Sequence, residues 1–326
     1  MQLNVMRLGH VELRVTDLDK AREFYVGMLG FVETDGDANR IYLRGLEERY
    51  HHSVVLKLAP TPGLAHFAFR VGSADDVENL GKRFKSDGVT VLRKAKGEEK
   101  GQGEAIRVQD PLGFPVEFYT EMDEVPWMLQ EFHLHRGARP ARIDHVNIQT
   151  PYVQRGFEYY TKDLGFSVTE DTVTDDGKLW AVWLRRKQNV HDIAIMNGTG
   201  PRFHHFGVWL PDITSVIRVC DILAGAGMQD RIERGPGRHG VSNAFFVYVR
   251  DLDGNRVEFY TGDYMTADPN WKPIRWSLED KNRGTFWGAT PPRSWFDEAS
   301  PVESIFDGNL VTPIEVISQD RPHFVT

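Results

Sequence analysis

The sequence predicts an α+β fold of four repeated βαβββ modules, paired into two domains and followed by a C-terminal cap, and three internal matches carry that expectation. His10-Val-Glu-Leu-Arg-Val, then Asp17 and a helical run ending in Met28-Leu-Gly-Phe31, is echoed by His145-Val-Asn-Ile-Gln-Thr and a run ending in Asp163-Leu-Gly-Phe166. His66-Phe-Ala-Phe-Arg-Val is echoed by His205-Phe-Gly-Val-Trp-Leu. Asp110-Pro-Leu-Gly-Phe-Pro-Val-Glu-Phe-Tyr-Thr120 is echoed by Asp251-Leu-Asp-Gly-Asn-Arg-Val-Glu-Phe-Tyr-Thr261. The offsets from His10 to His145, from His66 to His205 and from Glu117 to Glu258 are 135, 139 and 141 residues, so the halves are one domain type with small insertions.

Each half divides again, because His10 and His66 both open an alternating strand followed by a helix. Asp17 is placed to cap a helix with Leu18, Ala21 and Tyr25 on one face and Gly30 past its end. Asp212 plays the same part before Val216, Val219 and Leu223, with Gly225 and Gly227 closing. Short alternating runs follow, such as Ile41–Arg44 and Ala181–Leu184, separated by Gly or Asp-Gly turns. One such module cannot cover its own sheet, so paired modules curling around a concave cavity are expected. The expected boundaries are 1–135 for an N-terminal domain with a vestigial site, 136–262 for a C-terminal catalytic domain, and 263–326 for a cap or subunit-contact tail rich in Pro and Trp.

Composition narrows the function classes. The 326 residues are 40% hydrophobic and 26% charged, in the range of soluble globular chains. A net charge of −8 with mixed signs argues against nucleic acid as a partner, and no apolar run approaches the roughly 18 residues a membrane span needs. Cys220 is the only cysteine, which excludes an internal disulfide framework; it reads as an inert core thiol. With no basic, apolar leader at Met1–Val5, a cytoplasmic location is expected. The one dense basic stretch, Arg231 to His239, reads from composition as a solvated glycine-rich loop, and any small molecule held there would be an anion.

The repeats also select a constellation. Strand alternation places Ile143, His145 and Asn147 on one face, with Asp144, Val146 and Ile148 on the other. Repeat register selects His205 over His204, since His66 and His205 are each followed by Phe. Glu258 projects away from Val257 and Phe259. A lone strand histidine is usually structural, but His, His and Glu at three equivalent positions make a facial triad that leaves three cis positions of an ion open and favours Fe(II) or Mn(II). The N-terminal half keeps His10, His66 and Glu117, and His52 corresponds to His191. There Arg107 stands for Tyr248 and Glu98 for His239, and a cation beside the site would oppose metal binding, so that triad reads as a relic of duplication.

The stretch from His239 through Tyr248, Asp251 and Gly254 to Glu258 resembles the signature of the type I extradiol ring-cleaving dioxygenases of the vicinal-oxygen-chelate superfamily. Leu252 departs from it, standing where the signature has Pro. The resemblance runs from residue 7 to about residue 297 and is densest with the homoprotocatechuate (3,4-dihydroxyphenylacetate) 2,3-dioxygenase branch. Arg186–Asp192, Gly200–His205, Asp230–Phe245 and Asp280–Arg283 carry it. It implies the glyoxalase-like fold, a homotetramer, and Fe(II), with Mn(II) as the other ion, held by His145, His205 and Glu258. It implies an acid–base role for His191, hydrogen-bonding roles for Tyr248, Asn147 and His239, and a ring pocket lined by Trp183 and Val241. Arg234 and Arg283 would hold a carboxylate on the substrate's side chain. Gly284 stands where that branch has a second Arg, which weakens the carboxylate inference and leaves the ring chemistry untouched.

That chemistry suits the residues. A catechol's two adjacent oxygens and O2 together need three open positions, and a histidine near its ordinary pKa of about 6.5 can take a proton and return it. The expected reaction is oxidative ring opening beside the diol, which for 3,4-dihydroxyphenylacetate yields a yellow carboxymethyl-hydroxymuconic semialdehyde. Three other readings remain open. One is an extradiol enzyme for a different catechol, and another is a glyoxalase-like isomerase or epoxide-opening transferase needing neither His191 nor Tyr248. The third is a non-catalytic protein that sequesters an aromatic ligand.

Overall fold

The computed structural model describes residues 4–316; the parts of the predicted first and third segments at residues 1–3 and 317–326 lie outside the described residues. Four βαβββ units follow one another. The first is β1 (Val5–Val15), α1 (Leu18–Arg22), β2 (Val32–Gly36), β3 (Arg40–Arg44) and β4 (Val54–Leu58). The second is β5 (Gly63–Val71), α2 (Ala74–Ser86), β6 (Val91–Lys94), β7 (Ala105–Gln109) and β8 (Pro115–Tyr119). The third is β9 (Arg142–Thr150), α3 (Val153–Glu158), β10 (Ser167–Val173), β11 (Leu179–Arg185) and β12 (Ile193–Asn197). The fourth is β13 (Arg202–Trp209), α4 (Ile213–Gly225), β14 (Ile232–Arg238), β15 (Phe245–Arg250) and β16 (Arg256–Thr261). Two units join edge to edge in each sheet, through antiparallel pairing of β1 with β5 in the first and of β9 with β13 in the second.

The expected caps are present. Asp17 accepts from the backbone N–H groups of Asp19 and Lys20, and Asp212 accepts from Ser215 N at 2.6 Å. Val216, Val219 and Leu223 are the buried face of α4. In the first and third units the helix runs on into a π-helical turn, Glu23–Met28 and Tyr159–Asp163, which buries Phe24 with Tyr25 and Tyr159 with Tyr160.

Four β-bulges re-aim the strands where the sites lie. Between the Ile143–Val208 and His145–Gly207 pairs, Asp144 is an extra residue on β9; between the Ile148–Phe203 and Asn147–His205 pairs, His204 is extra on β13. Gly9 and Ala65 are the matching extras in the first sheet. A bulge breaks the two-residue alternation, so Ile143, expected beside His145, instead joins Val146 and Ile148 in the core. The stretch expected as a solvated loop from Arg231 is largely strand β14, and Arg234 on it is only 4% exposed. Cys220 is half-buried on α4 against the core, and burial pushes its thiol up to about 11, which keeps it protonated and unreactive.

The two sheets are locked by reciprocal contacts. Tyr25 donates to Asp251 at 2.9 Å, and its repeat equivalent Tyr160 donates to Asp110 at 3.1 Å, each across the two halves. Phe31 meets Phe259, and Phe69 meets Phe166, beside those bonds. Burial pushes both carboxyls up to about 6, above the ordinary 3.8. A raised carboxyl favours the folded state fully only below its unfolded pKa and loses that contribution as pH rises through about 6. Asp251→Asn, which cannot titrate, is therefore expected to be more destabilising relative to wild type at pH 5 than at pH 7, by about 1 kcal/mol. Urea unfolding of both proteins at the two pH values checks this; a pH-independent difference contradicts it.

The tail divides into a cap and a strap. Strand β17 (Ile274–Ser277) adds in parallel to β10, and two single-turn helices follow, α5 (Lys281–Gly284) and α6 (Ser294–Asp297). Beyond them Ser300 exchanges two backbone hydrogen bonds with Phe203 in the second sheet, while Pro301 accepts from Leu64 in the first. Glu303 then pairs with Lys57 at 2.9 Å and with Arg14, so this segment ties both halves together. No helix of the described residues is long and apolar enough to cross a membrane.

Candidate metal centre and active site

The concave face of the second sheet brings His145 on β9, His205 on β13 and Glu258 on β16 together, all buried. One carboxylate oxygen of Glu258 lies 2.8 Å from His145 Nε2 and 3.3 Å from His205 Nε2. The far nitrogens are tied back. His145 Nδ1 donates to Asp144 at 3.1 Å, and the bulge at that residue is what lets neighbouring side chains meet. His204 Nε2 donates to the Trp295 carbonyl at 2.8 Å, so Nδ1 of this buried, neutral ring accepts, and His205 Nδ1 must be the donor across their 2.6 Å contact. Both rings thus turn Nε2 inward, His205 with a free lone pair and His145 with the one proton that an ion would displace. That is the orientation a metal requires, set by the second-sphere partners that metal-binding histidines characteristically have. Two imidazoles and one carboxylate on one side of a cavity fit an Fe(II) or Mn(II) ion with its remaining positions open.

The charges agree with that fit. Burial alone would lower His145, but Asp144 and Glu258 hold it up to about 9. Burial would raise Glu258, yet the imidazoles around it, His145 foremost, bring it well below its ordinary value. A cation is wanted between these groups, and a divalent ion would take the place of the proton on His145. Burial lowers His205 to about 4, leaving a neutral ligand.

Every candidate residue lines one cavity of about 790 Å³, counting its open mouth. Asn147 lies two residues along β9 from His145, with its buried Oδ1 unpartnered. His191, before β12, lies tilted against the His145 ring with centroids 4.0 Å apart; burial and the charge on His145 press it well below the 6.5 expected, so it is a neutral base rather than a group poised at its ordinary pKa. Tyr248 on β15 donates to Glu258 at 2.7 Å and sits 2.9 Å from His239 Nε2, whose Nδ1 donates to the Gly284 carbonyl. Trp183 and Val241 belong to an apolar wall with Trp180 and Met196. Arg234 and Arg283 complete the lining, both nearly buried.

Several contributors had no sequence signal. Asp144 and His204 act through bulges that no residue pattern announces. Gly207 faces His145, and a Cβ there would fall 2.2–2.5 Å from the imidazole, so only Gly admits the ligand ring. Trp295 of α6 stacks 4.4 Å from the Arg234 guanidinium and closes one side of the cavity. Glu170 on β10 accepts from Ser242 N, Tyr264 and Trp276, holding the Val241 turn and the cap in one network. In the first half, Glu99 rather than the expected Glu98 reaches the equivalent site; Glu98 is exposed and paired with Lys94.

Residues 7–118 and 142–259 each match the Glyoxalase/Bleomycin resistance protein/Dioxygenase superfamily model. The anaerobic complex of Brevibacterium fuscum homoprotocatechuate 2,3-dioxygenase with 3,4-dihydroxyphenylacetate superimposes with a TM-score of 0.93 at 43% identity, over 96% of this chain and 98% of that one. The manganese-dependent 2,3-dihydroxybiphenyl 1,2-dioxygenase of Geobacillus genomosp. 3 is 33% identical over 299 residues, 88% of this chain and 95% of its own. The metapyrocatechase of Pseudomonas sp. strain CF600 is 33% identical over 298 residues, with the same coverage.

Proposed function

We propose that this chain, which belongs to the Glyoxalase/Bleomycin resistance protein/Dioxygenase superfamily and is an extradiol ring-cleaving dioxygenase, acts on 3,4-dihydroxyphenylacetate. The observation that carries the substrate is a pair of buried guanidiniums without counter-ions. Among the described residues no carboxylate pairs with Arg234 or Arg283, and the Nε of each is buried and unpartnered. Burial lowers both to about 10, and the charge on Arg234 lowers Arg283 further. Two unpaired cations beside an apolar wall are relieved by a carboxylate carried on an aromatic ring, through charge-assisted hydrogen bonds.

We assign Fe(II), with Mn(II) as the alternative ion, to His145, His205 and Glu258. When bound, the ion supplies open positions for two adjacent phenolic oxygens and O2, and acidifies the phenol it holds. His191 enters neutral and takes the proton released as the catechol binds, later returning it during ring opening. Tyr248 and His239 form a hydrogen-bonded relay over Glu258 that steadies charge developing on the ring oxygen. Asn147 orients the oxygen ligands from the β9 side. Both atoms of O2 end in the product, a carboxymethyl-hydroxymuconic semialdehyde, so no external reductant is needed. The domain division at 135/136 and 262/263, with residues from 263 as a lid, a homotetrameric assembly and a cytoplasmic location complete this reading.

Tyr248→Phe is expected to keep full metal content while kcat falls about 100- to 1000-fold, as for loss of one positioned donor; metal analysis beside steady-state rates checks both. The substrate is tested by comparing kcat/KM for 3,4-dihydroxyphenylacetate, 4-methylcatechol, catechol and 2,3-dihydroxybiphenyl. A preference of at least tenfold for the arylacetate is expected; equal or better turnover of an uncharged catechol overturns the substrate assignment and leaves a dioxygenase for another catechol.

A further inference from the structure

The first sheet carries the same concave constellation, and its centre is filled by a side chain. His10 on β1, His66 on β5 and Glu117 on β8 stand where His145, His205 and Glu258 stand in the second, and Glu99 joins them. Their donor atoms all lie within 4.8 Å of one another and every one of these residues is buried. His10 Nε2 is 3.0 Å from His66 Nε2 and 3.6 Å from Glu117. The second oxygen of Glu99, buried and without a hydrogen-bond partner, points into the cluster 3.9 Å from His10 Nε2.

Into this set β7 inserts Arg107. One guanidinium nitrogen lies 2.5 Å from Glu99, 2.5 Å from Glu117 and 3.3 Å from His66 Nε2, so a single cationic atom contacts three of the four prospective ligands. The register shows how it came there: Arg107 pairs with Glu117 across β7 and β8 as Tyr248 pairs with Glu258 across β15 and β16.

The structure assigns to His10, His66, Glu99 and Glu117 a second metal site for a first-row divalent ion, held closed by the Arg107 guanidinium in the ion's place. The positive charge bridges and partly offsets Glu99 and Glu117 and lets the first half fold without metal, while only the second site takes an ion. Removing that charge leaves two buried carboxylates and two imidazoles around a vacated volume, a donor set that the same ion class fills. This inference does not depend on the dioxygenase substrate, because its readout is bound metal.

The test counts Mn(II) in the full chain after chelation, reconstitution with excess Mn(II) and desalting. Wild type is expected to hold one ion per chain, and Arg107→Ala and Arg107→Met two. In a His205→Ala background, which empties the second sheet's site, the count is expected to rise from none to one. A variant that folds only with Mn(II) present supports the site equally. Folded Arg107 variants that bind no more Mn(II) than their parents overturn it, as does failure of both variants to fold with Mn(II) present.

Discussion

His205→Ala is expected to abolish oxygen uptake with every catechol, a fall of about a thousandfold or more. The side chain supplies one of three donors, and its loss leaves His145 and Glu258 paired with each other rather than with an ion. A thousandfold is about 4 kcal/mol, the upper end of what losing one positioned donor costs. The repeat supplies an internal control: His66, the matching residue in the first sheet, faces Arg107 instead of an open cavity. His66→Ala is expected to leave the turnover of folded protein within a few-fold of wild type. Oxygen-electrode rates and metal content, with circular dichroism to establish folding, separate the two outcomes. Equal losses from both substitutions would contradict the placement of the reaction in the second sheet.

Replacing the guanidiniums should divide substrates rather than abolish turnover. A hydrogen bond to a charged group contributes about 1.5–3 kcal/mol, so Arg234→Met or Arg283→Met is expected to lower kcat/KM for 3,4-dihydroxyphenylacetate about 10- to 150-fold. For 4-methylcatechol, which presents no carboxylate, the change is expected to stay within a few-fold. The two effects need not add, since both residues line one pocket and Arg234 is also bonded to the Gly284 carbonyl and Thr285. Gly284 leaves that end of the pocket open: a Cβ there would meet nothing closer than Arg234 Nη2 at 3.8 Å. Equal losses for the charged and uncharged catechols would mean that the arginines serve the fold rather than the substrate.

The repeats made the architecture legible, because each module must bury the same helix face and strand alternation, and those constraints survive in residues such as Asp17, Asp212, Val216 and Val219. The clustering of His145, His205 and Glu258 was legible for the same reason: they interrupt apolar strands at positions where their repeat partners do so too. What lay beyond the sequence depends on single-residue irregularities. An extra residue at Asp144 or His204 has no compositional mark, yet it turns Ile143 into the core and gives each ligand histidine its partner. Arg234 sits in a run of Gly, Pro and Arg that resembles a loop, and becomes strand because β15 supplies a ladder for it. The shift from Glu98 to Glu99 reflects one extra residue in the second half, where His239 precedes Tyr248 by nine positions while Glu99 precedes Arg107 by eight.

Opening of a catechol ring with O2 is expected at the second sheet's site. Protein loaded anaerobically with Fe(II), mixed with 3,4-dihydroxyphenylacetate and then given O2, tests it most directly when visible absorbance and oxygen are followed together. The expected result is a yellow product formed with one O2 consumed per substrate, absent in His205→Ala. Confirmed metal occupancy with no oxygen consumed by any catechol would contradict it.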